Sequence, residues 1–356
     1  MRETPVTNYF NNKMKGALPL CCQIDLTYRC NYNCVHCYCK GAEFKEGELS
    51  TSEWIAIIDQ MWESGCLWFN ISGGEPLLRE DFLEIYTYAK EKGFLITIFT
   101  NASLFNSKII KVLKKKLPYS IEVTLNGIAS ATYEAITQSQ DSFLKVINNL
   151  VEIENCGLPL VIKTNALQLN KGEILKIKQF SERLLGKGKF KFDSIVFQAL
   201  KPLASGSRAL SDTRLKPEEI LELEKSDKDF LNSRQYQLCY GKTLKRDKHF
   251  LFQCKIWQDI FFINPYGKLK FCLLTDMYSQ DLKRNSLSEA YEIMVRFVEK
   301  AAYKTNSKCL SCDFKINCAL CPAKASLESG EEESSPEYFC ALTKKRQENL
   351  IEKAIA

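Results

Sequence analysis

The chain has 356 residues, 45% hydrophobic and 26% charged, with a formal net charge of +6. That composition excludes disordered and fibrous classes and supplies a barrel-sized core with one small satellite domain. The charge is mild and spread over many lysines, so it calls for no nucleic-acid partner, although it tolerates an acidic peptide.

His36 and His249 are the only histidines, which leaves no material for His-based triads or His-rich metal sites. No apolar run approaches the roughly 18 residues of a membrane span. The N-terminus, with Glu3, Asn8, Asn11 and Asn12 ahead of a short apolar patch at 17–21, lacks a signal-peptide core. The expected location is therefore the cytoplasm, with no membrane association. Sixteen cysteines without an export signal argue for metal ligation in a reducing compartment rather than for disulfides.

Residues 1–20 read as an N-terminal extension, 21–235 as an α/β domain, and 236–356 as a cysteine-rich domain with a C-terminal helix. In the α/β part, strand-like segments near 21–27, 66–71, 94–100, 119–125, 159–167 and 192–198 alternate with helical ones near 51–65, 80–92, 106–116, 140–156 and 172–186. Ser50-Thr51-Ser52-Glu53 is a capping box opening the first helix, and Gly157 closes the fourth at a C′ position. Phe143, Val146, Ile147, Leu150 and Ile153 recur on one face of that fourth helix, which therefore packs on a sheet. Six β/α units are too few for a closed eight-fold barrel, and a partial barrel leaves a lateral opening wide enough for a peptide. Pro217 starts another helix running to about Asn232, and a helix over 337–355 ends the chain.

The first strand runs into Cys30, Cys34 and Cys37, a C-x3-C-x2-C spacing. Three soft ligands so close hold three irons of a cubane and leave the fourth open, because the next thiol, Cys39, is one residue away. On its own the trio is also compatible with surface thiols or half of a zinc site. A second series follows: Cys254, Gly267 and Cys272, then Cys309-x2-Cys312-x5-Cys318-x2-Cys321-Pro322, then Cys340. A zinc ribbon wants roughly 15 to 20 residues between its pairs. Here there are five. Cys318-Ala319-Leu320-Cys321-Pro322 ends like a ferredoxin run, in which the cysteine before proline ligates the other cluster. Cys21, Cys22, Cys39, Cys66 and Cys156 read as core.

Further chemistry-bearing positions fall just after strands, where ligands bind in parallel α/β barrels. They are Gly73-Gly74-Glu75-Pro76 after the second strand, Thr100-Asn101 after the third and Asn126-Gly127 after the fourth. Glycine allows positive φ and close backbone approach to a ligand, and Glu75 offers an acceptor for an ammonium group.

The cysteine trio and the Gly-Gly-Glu-Pro segment resemble the radical S-adenosylmethionine (SAM) family, and the second cysteine series resembles its SPASM extension. The resemblance implies a partial (β/α)6 barrel and a C-terminal SPASM domain. It implies three [4Fe-4S] clusters: one on Cys30, Cys34 and Cys37 that binds SAM, and two auxiliary. Cys309, Cys312, Cys318 and Cys340 would hold the distal auxiliary cluster, and Cys254, Cys272 and Cys321 the proximal one, with Cys239, Asp259 or an open iron completing it. Four thiolate bonds at the distal cluster would also staple a small loop-rich domain, a purely structural alternative. Gly73, Gly74 and Glu75 would meet the SAM amino group, and His36 the adenine. Thr100, Asn101 and Thr124 would contact its carboxylate and ribose; Asn165 and Gln198 fit the same polar ring or serve as buried amides. Where relatives read Ser-x-Asp-Gly, this chain reads Thr124-Leu125-Asn126-Gly127 and lacks the carboxylate.

The implied activity is reductive cleavage of SAM to a 5′-deoxyadenosyl radical and hydrogen abstraction from a ribosomally made peptide, giving a cross-link, thioether, epimer or similar product in an anaerobic setting. Its implied partners are the peptide, a separate leader-recognition protein and a flavodoxin- or ferredoxin-type electron donor. The alternatives are an anaerobic sulfatase maturase forming formylglycine and, in another class, a non-enzymatic iron–sulfur carrier.

Overall fold

The computed structural model describes residues 18–37, 39, 47–195, 210–227, 249–254, 256–315 and 318–355. Six parallel strands are laid down in chain order: β1 Cys21–Thr27, β2 Trp68–Gly73, β3 Leu95–Thr100, β4 Ser120–Thr124, β5 Leu160–Asn165 and β6 Phe190–Asp193. Between them run α1 Thr51–Glu63, α2 Phe82–Glu91, α3 Ser107–Lys115, α4 Ser130–Thr137, α5 Ser142–Asn155 and α6 Ile174–Leu185. The parallel α/β architecture expected from the sequence is the one observed.

Each boundary has a local cause. Ser50 and Glu53 exchange cap hydrogen bonds at the start of α1. Asn106 accepts from Ile109 N to open α3. Gly157 takes φ +70° after α5, whose Val146, Leu150 and Ile153 are buried as the periodicity required.

The sheet has two unlike faces. Toward the helices stand Ile24, Phe69, Ile71, Ile98, Val123 and Ile162, all fully buried. Parallel sheets covered on both faces are apolar throughout. Here the face away from the helices is polar, with register partners such as Gln23, Asn70 and Thr97, then Phe99 and Glu122, then Lys163 and Lys191.

Two expectations need correction. β6 lies at 190–193 rather than 192–198, because Phe190 and Phe192 supply the helix-facing alternation and Asp193 and Ser194 end it. Gln198 lies outside the described residues, as do Cys239 and the stretch to Asn232 beyond α8, Pro217–Ser226. The sheet also continues where the cysteine-rich region begins: β7 Ile260–Ile263 pairs in parallel with β1, and β8 Lys268–Lys270 and β9 Gln280–Asp281 follow antiparallel.

After the four-residue α7 (Leu210–Thr213) and α8, the helices α9 Leu287–Lys300, α10 Pro322–Ser329 and α11 Glu337–Ile355 complete the described chain. α11 returns to α8 around buried Leu342 and Ile220. Arg346 donates to Glu224 at 2.5 Å, and Ser194 adds a second bond to that carboxylate. Both charged side chains are under 5% exposed. Removing one partner of such a pair strands a buried charge at a cost of about 3–5 kcal/mol. Arg346→Ala should therefore lower the denaturation midpoint by that equivalent, whereas Arg346→Met with Glu224→Leu should recover most of it; a loss below about 1 kcal/mol, the range of surface pairs, would contradict this.

Candidate active site

The cysteine loop is pinned from two sides. Glu48 accepts from Thr27 Oγ1 and Tyr28 N, both at 2.9 Å. From β2, Gly74 N donates to Thr27 O at 2.7 Å and Glu75 N to Arg29 O at 2.9 Å. This approach explains the glycines. A Cβ at Gly73 would stand 2.3 Å from Thr27 O, and one at Gly74 would stand 2.2 Å from Arg29 O. Gly73 also takes φ +125°. Their closeness brings the cysteine loop against Glu75, a backbone approach that comes on top of the positive φ the sequence suggested.

Glu75 is fully buried, and its three hydrogen bonds all come from neutral donors: Leu77 N at 3.1 Å, Thr100 Oγ1 at 2.8 Å and Asn101 N at 2.8 Å. Burial outweighs them and pushes its pKa up to about 7. Thr100 and the Asn101 backbone thus hold Glu75. The Asn101 amide reaches the loop instead, donating to Asn31 Oδ1 at 3.0 Å and lying 3.9 Å from Cys30 Sγ.

Cys30, Cys34 and Cys37 are half-buried on this one loop. Burial pushes the Cys30 thiol up to about 11, against a bond from Tyr32 N and with Glu75 and Cys37 raising it further. His36, between the second and third thiols, is held neutral: burial lowers it to about 4. Its Nε2 lies 3.1 Å from Asn165 Nδ2 and 3.4 Å from Asn126 Nδ2. Its Nδ1 is buried without a partner. Asn126 is the residue that sequence reasoning undervalued: its Oδ1 accepts from Asn165 N at 3.0 Å, tying the ends of β4 and β5 to the imidazole. Glu173 was missed altogether; it caps α4 through Ile128 N and Thr132, a long-range contact with no local signal. Thr124 is half-buried on the polar face, in register with Lys163.

The later cysteines fall into two neighbourhoods. Burial, and then the Cys321 thiol, raise both Cys254 and Cys272. Cys309 is raised by burial and then by Cys318, Cys340 and Cys312, and Cys340 by burial, Cys318 and Cys312. Cys318 Sγ accepts from Thr343 Oγ1 at 3.1 Å and Leu320 N at 3.4 Å. Asp259 is exposed before β7, with its charge felt by Tyr291. Cys22, Cys39 and Cys66 are buried, and Cys21 and Cys156 half-buried.

The sequence profile of the Radical SAM superfamily matches residues 24–178. Residues 24–178 are a radical SAM domain. The AdoMet-dependent heme synthase of Methanosarcina barkeri is 25% identical over 331 residues, 86% of this chain and 92% of that protein. Mycofactocin maturase MftC of Mycobacterium tuberculosis is 30% identical over 157 residues, and the match spans only 40% of MftC. Among solved structures, SuiB of Streptococcus suis bound to S-adenosylmethionine superposes with a TM-score of 0.69 at 16% identity, over 93% of this chain and 80% of SuiB. That likeness establishes the shared fold.

The radical SAM family implies a 4Fe–4S cluster and SAM, and the chemistry of the donors present suits both, while no three ligating side chains among the described residues are gathered closely enough to hold a single metal ion. Three soft thiols share one loop, a sealed carboxylate has only neutral partners, and an imidazole nitrogen is buried without one. The glycine contact within the radical SAM domain is directly testable. Gly74→Ala drives a methyl into the Arg29 carbonyl, an overpacking worth on the order of 1–3 kcal/mol, so its urea midpoint should fall accordingly. An unchanged midpoint would show that the loop yields freely.

Proposed function

We propose that this chain is a radical SAM peptide maturase whose site is built around Glu75. The observation that carries the reading is a fully buried carboxylate with neutral partners only, next to a loop of three thiols. Burial holds this carboxyl close to the midpoint of its titration at neutral pH, and a donor such as the amino group of SAM would favour its anion.

In this reading Cys30, Cys34 and Cys37 hold the SAM-binding cluster. Gly73 and Gly74 fix the loop against Glu75, and Thr100 and Asn101 orient that carboxylate. His36 presents its neutral ring, steadied by Asn126 and Asn165, to the adenine, while Thr124 and Asn165 offer hydrogen bonds to the ribose and carboxylate. When bound, cluster and SAM supply the electron and the 5′-deoxyadenosyl radical that abstracts hydrogen from the substrate. Cys254, Cys272 and Cys321 hold a proximal auxiliary cluster, and Cys309, Cys312, Cys318 and Cys340 a distal one. The boundaries 1–20, 21–235 and 236–356, a flavodoxin- or ferredoxin-type donor and a separate leader-recognition protein belong to the same proposal. No described helix is long and apolar enough to cross a membrane.

A ribosomally made peptide is the preferred substrate. MftC is named a maturase, and SuiB has also been solved with its precursor peptide SuiA, at a TM-score of 0.68. A tetrapyrrole is the second reading, favoured by one observation: the heme synthase matches along 92% of its own length.

Three measurements test the proposal. Anaerobic reconstitution should load about 12 irons per chain, as three cubanes require. Adding SAM and dithionite should then yield 5′-deoxyadenosine; about 4 irons would remove the auxiliary clusters, and no 5′-deoxyadenosine would remove the enzyme reading. Because burial raises Glu75 to about 7, its carboxyl is protonated below that pH and charged above it. Affinity for SAM should therefore rise between pH 6 and pH 8. Glu75→Gln should weaken binding by about tenfold or more and flatten the profile, the loss of a charge-assisted contact worth about 1.5–3 kcal/mol. A pH profile shared by wild type and variant would assign the ammonium to another group.

A further inference from the structure

The polar face of the sheet carries a built charge cluster that the SAM reading does not use. Glu122 on β4 is bridged by two lysines, one on each carboxylate oxygen: Lys191 Nζ on β6 at 2.6 Å from Oε1, and Lys163 Nζ on β5 at 3.4 Å from Oε2. Lys163 also lies over the Phe99 ring, 4.4 Å from its centroid. The Glu122 side chain is 9% exposed, Lys163 28% and Lys191 52%. The carboxylate is thus the buried member of the cluster, and the two lysines are its solvent-facing members.

Two cations on one anion leave a local charge of +1. Each ammonium has three donors; Lys191 spends one in a hydrogen bond to Glu122, whereas Lys163 is held to it as an ion pair only. A pair that serves stability alone is kept out of water, whereas here Lys163 and Lys191 both stay open to solvent. Asp193, exposed on the same face of β6, is the next acidic group along it and lies in register with Asn165. The cluster is also well placed. Lys163 lies opposite Thr124 and two residues before Asn165, whose amide contacts His36 of the cysteine loop. Two strand residues are about 7 Å.

We propose that Lys163 and Lys191, held apart and aimed by Glu122, form a binding site for a substrate carboxylate one layer below the SAM site, with Phe99 as its apolar wall. The substrate is then an acidic one: a peptide bearing Asp or Glu close to the carbon that reacts. This deepens the reading given under Proposed function and rests on it for the location of the chemistry.

The test uses reconstituted enzyme with SAM and two pairs of probes. The first pair is capped hexapeptides differing only in a central Glu or Gln. The second is a tetracarboxylate porphyrin and its tetramethyl ester. Retention of each is measured by equilibrium dialysis. Wild type should hold the Glu peptide about fivefold more tightly than the Gln peptide, the scale of a half-exposed ion pair. Lys163→Gln with Lys191→Gln should bring that ratio to one, while Glu122→Gln, which removes the competing anion, should keep or raise it. Discrimination by wild type of the porphyrin pair alone, lost in the double variant, would keep the carboxylate site and overturn its peptide occupant. Equal retention within both pairs, or a ratio unchanged in the double variant, would overturn the site. Absence of 5′-deoxyadenosine alongside intact discrimination would overturn the enzyme reading and not the lysines.

Discussion

The structure depends on one close contact, the backbone of Gly73, Gly74 and Glu75 laid against Thr27 to Arg29. Two hydrogen bonds of 2.7 and 2.9 Å join the end of β2 to the start of the cysteine loop, at a distance that admits no side chain. The carboxylate and the three thiols are thereby fixed to each other rather than separately to the scaffold. Neighbouring parallel strands come about 4.8 Å apart, so only the residues just past the strand ends can converge this way. Burial of Glu75 accompanies the same contact, and with it the rise of its pKa to about 7.

The sheet also explains how the two halves of the chain act as one body. β7 pairs with β1 from Cys21 opposite Ile260 to Ile24 opposite Ile263. Cys254 precedes β7 and Cys272 follows β8, so both lie at the end of the sheet where β1 begins. The cysteine loop lies where it ends. Seven strand residues separate those ends, on the order of 20 Å. The polar face, with Phe99, Glu122, Lys163 and Lys191, runs between them. A substrate on that face would sit between the loop of Cys30, Cys34 and Cys37 and the Cys254, Cys272 and Cys321 group.

Much of this was legible in the sequence because it is written locally. The period of α5, the Ser50–Glu53 box and the C-x3-C-x2-C spacing all lie within a few residues of one another. What escaped is non-local or short. β7, β8 and β9 have four, three and two residues, too few for alternation to register. α4 buries only Tyr133, Ile136 and Thr137 and reads as a loop. Asn126 looked like a lost carboxylate, and only the fold shows its amide bridging two strand ends and His36. Gly73 takes the positive φ expected of it, but no spacing rule shows that the glycines also approach the backbone of Thr27 to Arg29.

The most direct test of the central claim is the electron paramagnetic resonance spectrum of the reduced, reconstituted protein before and after SAM is added. An open iron on Cys30, Cys34 and Cys37 that chelates SAM beside Glu75 predicts a changed signal in wild type and none of that change in the triple alanine variant. A spectrum indifferent to SAM in wild type would contradict the account.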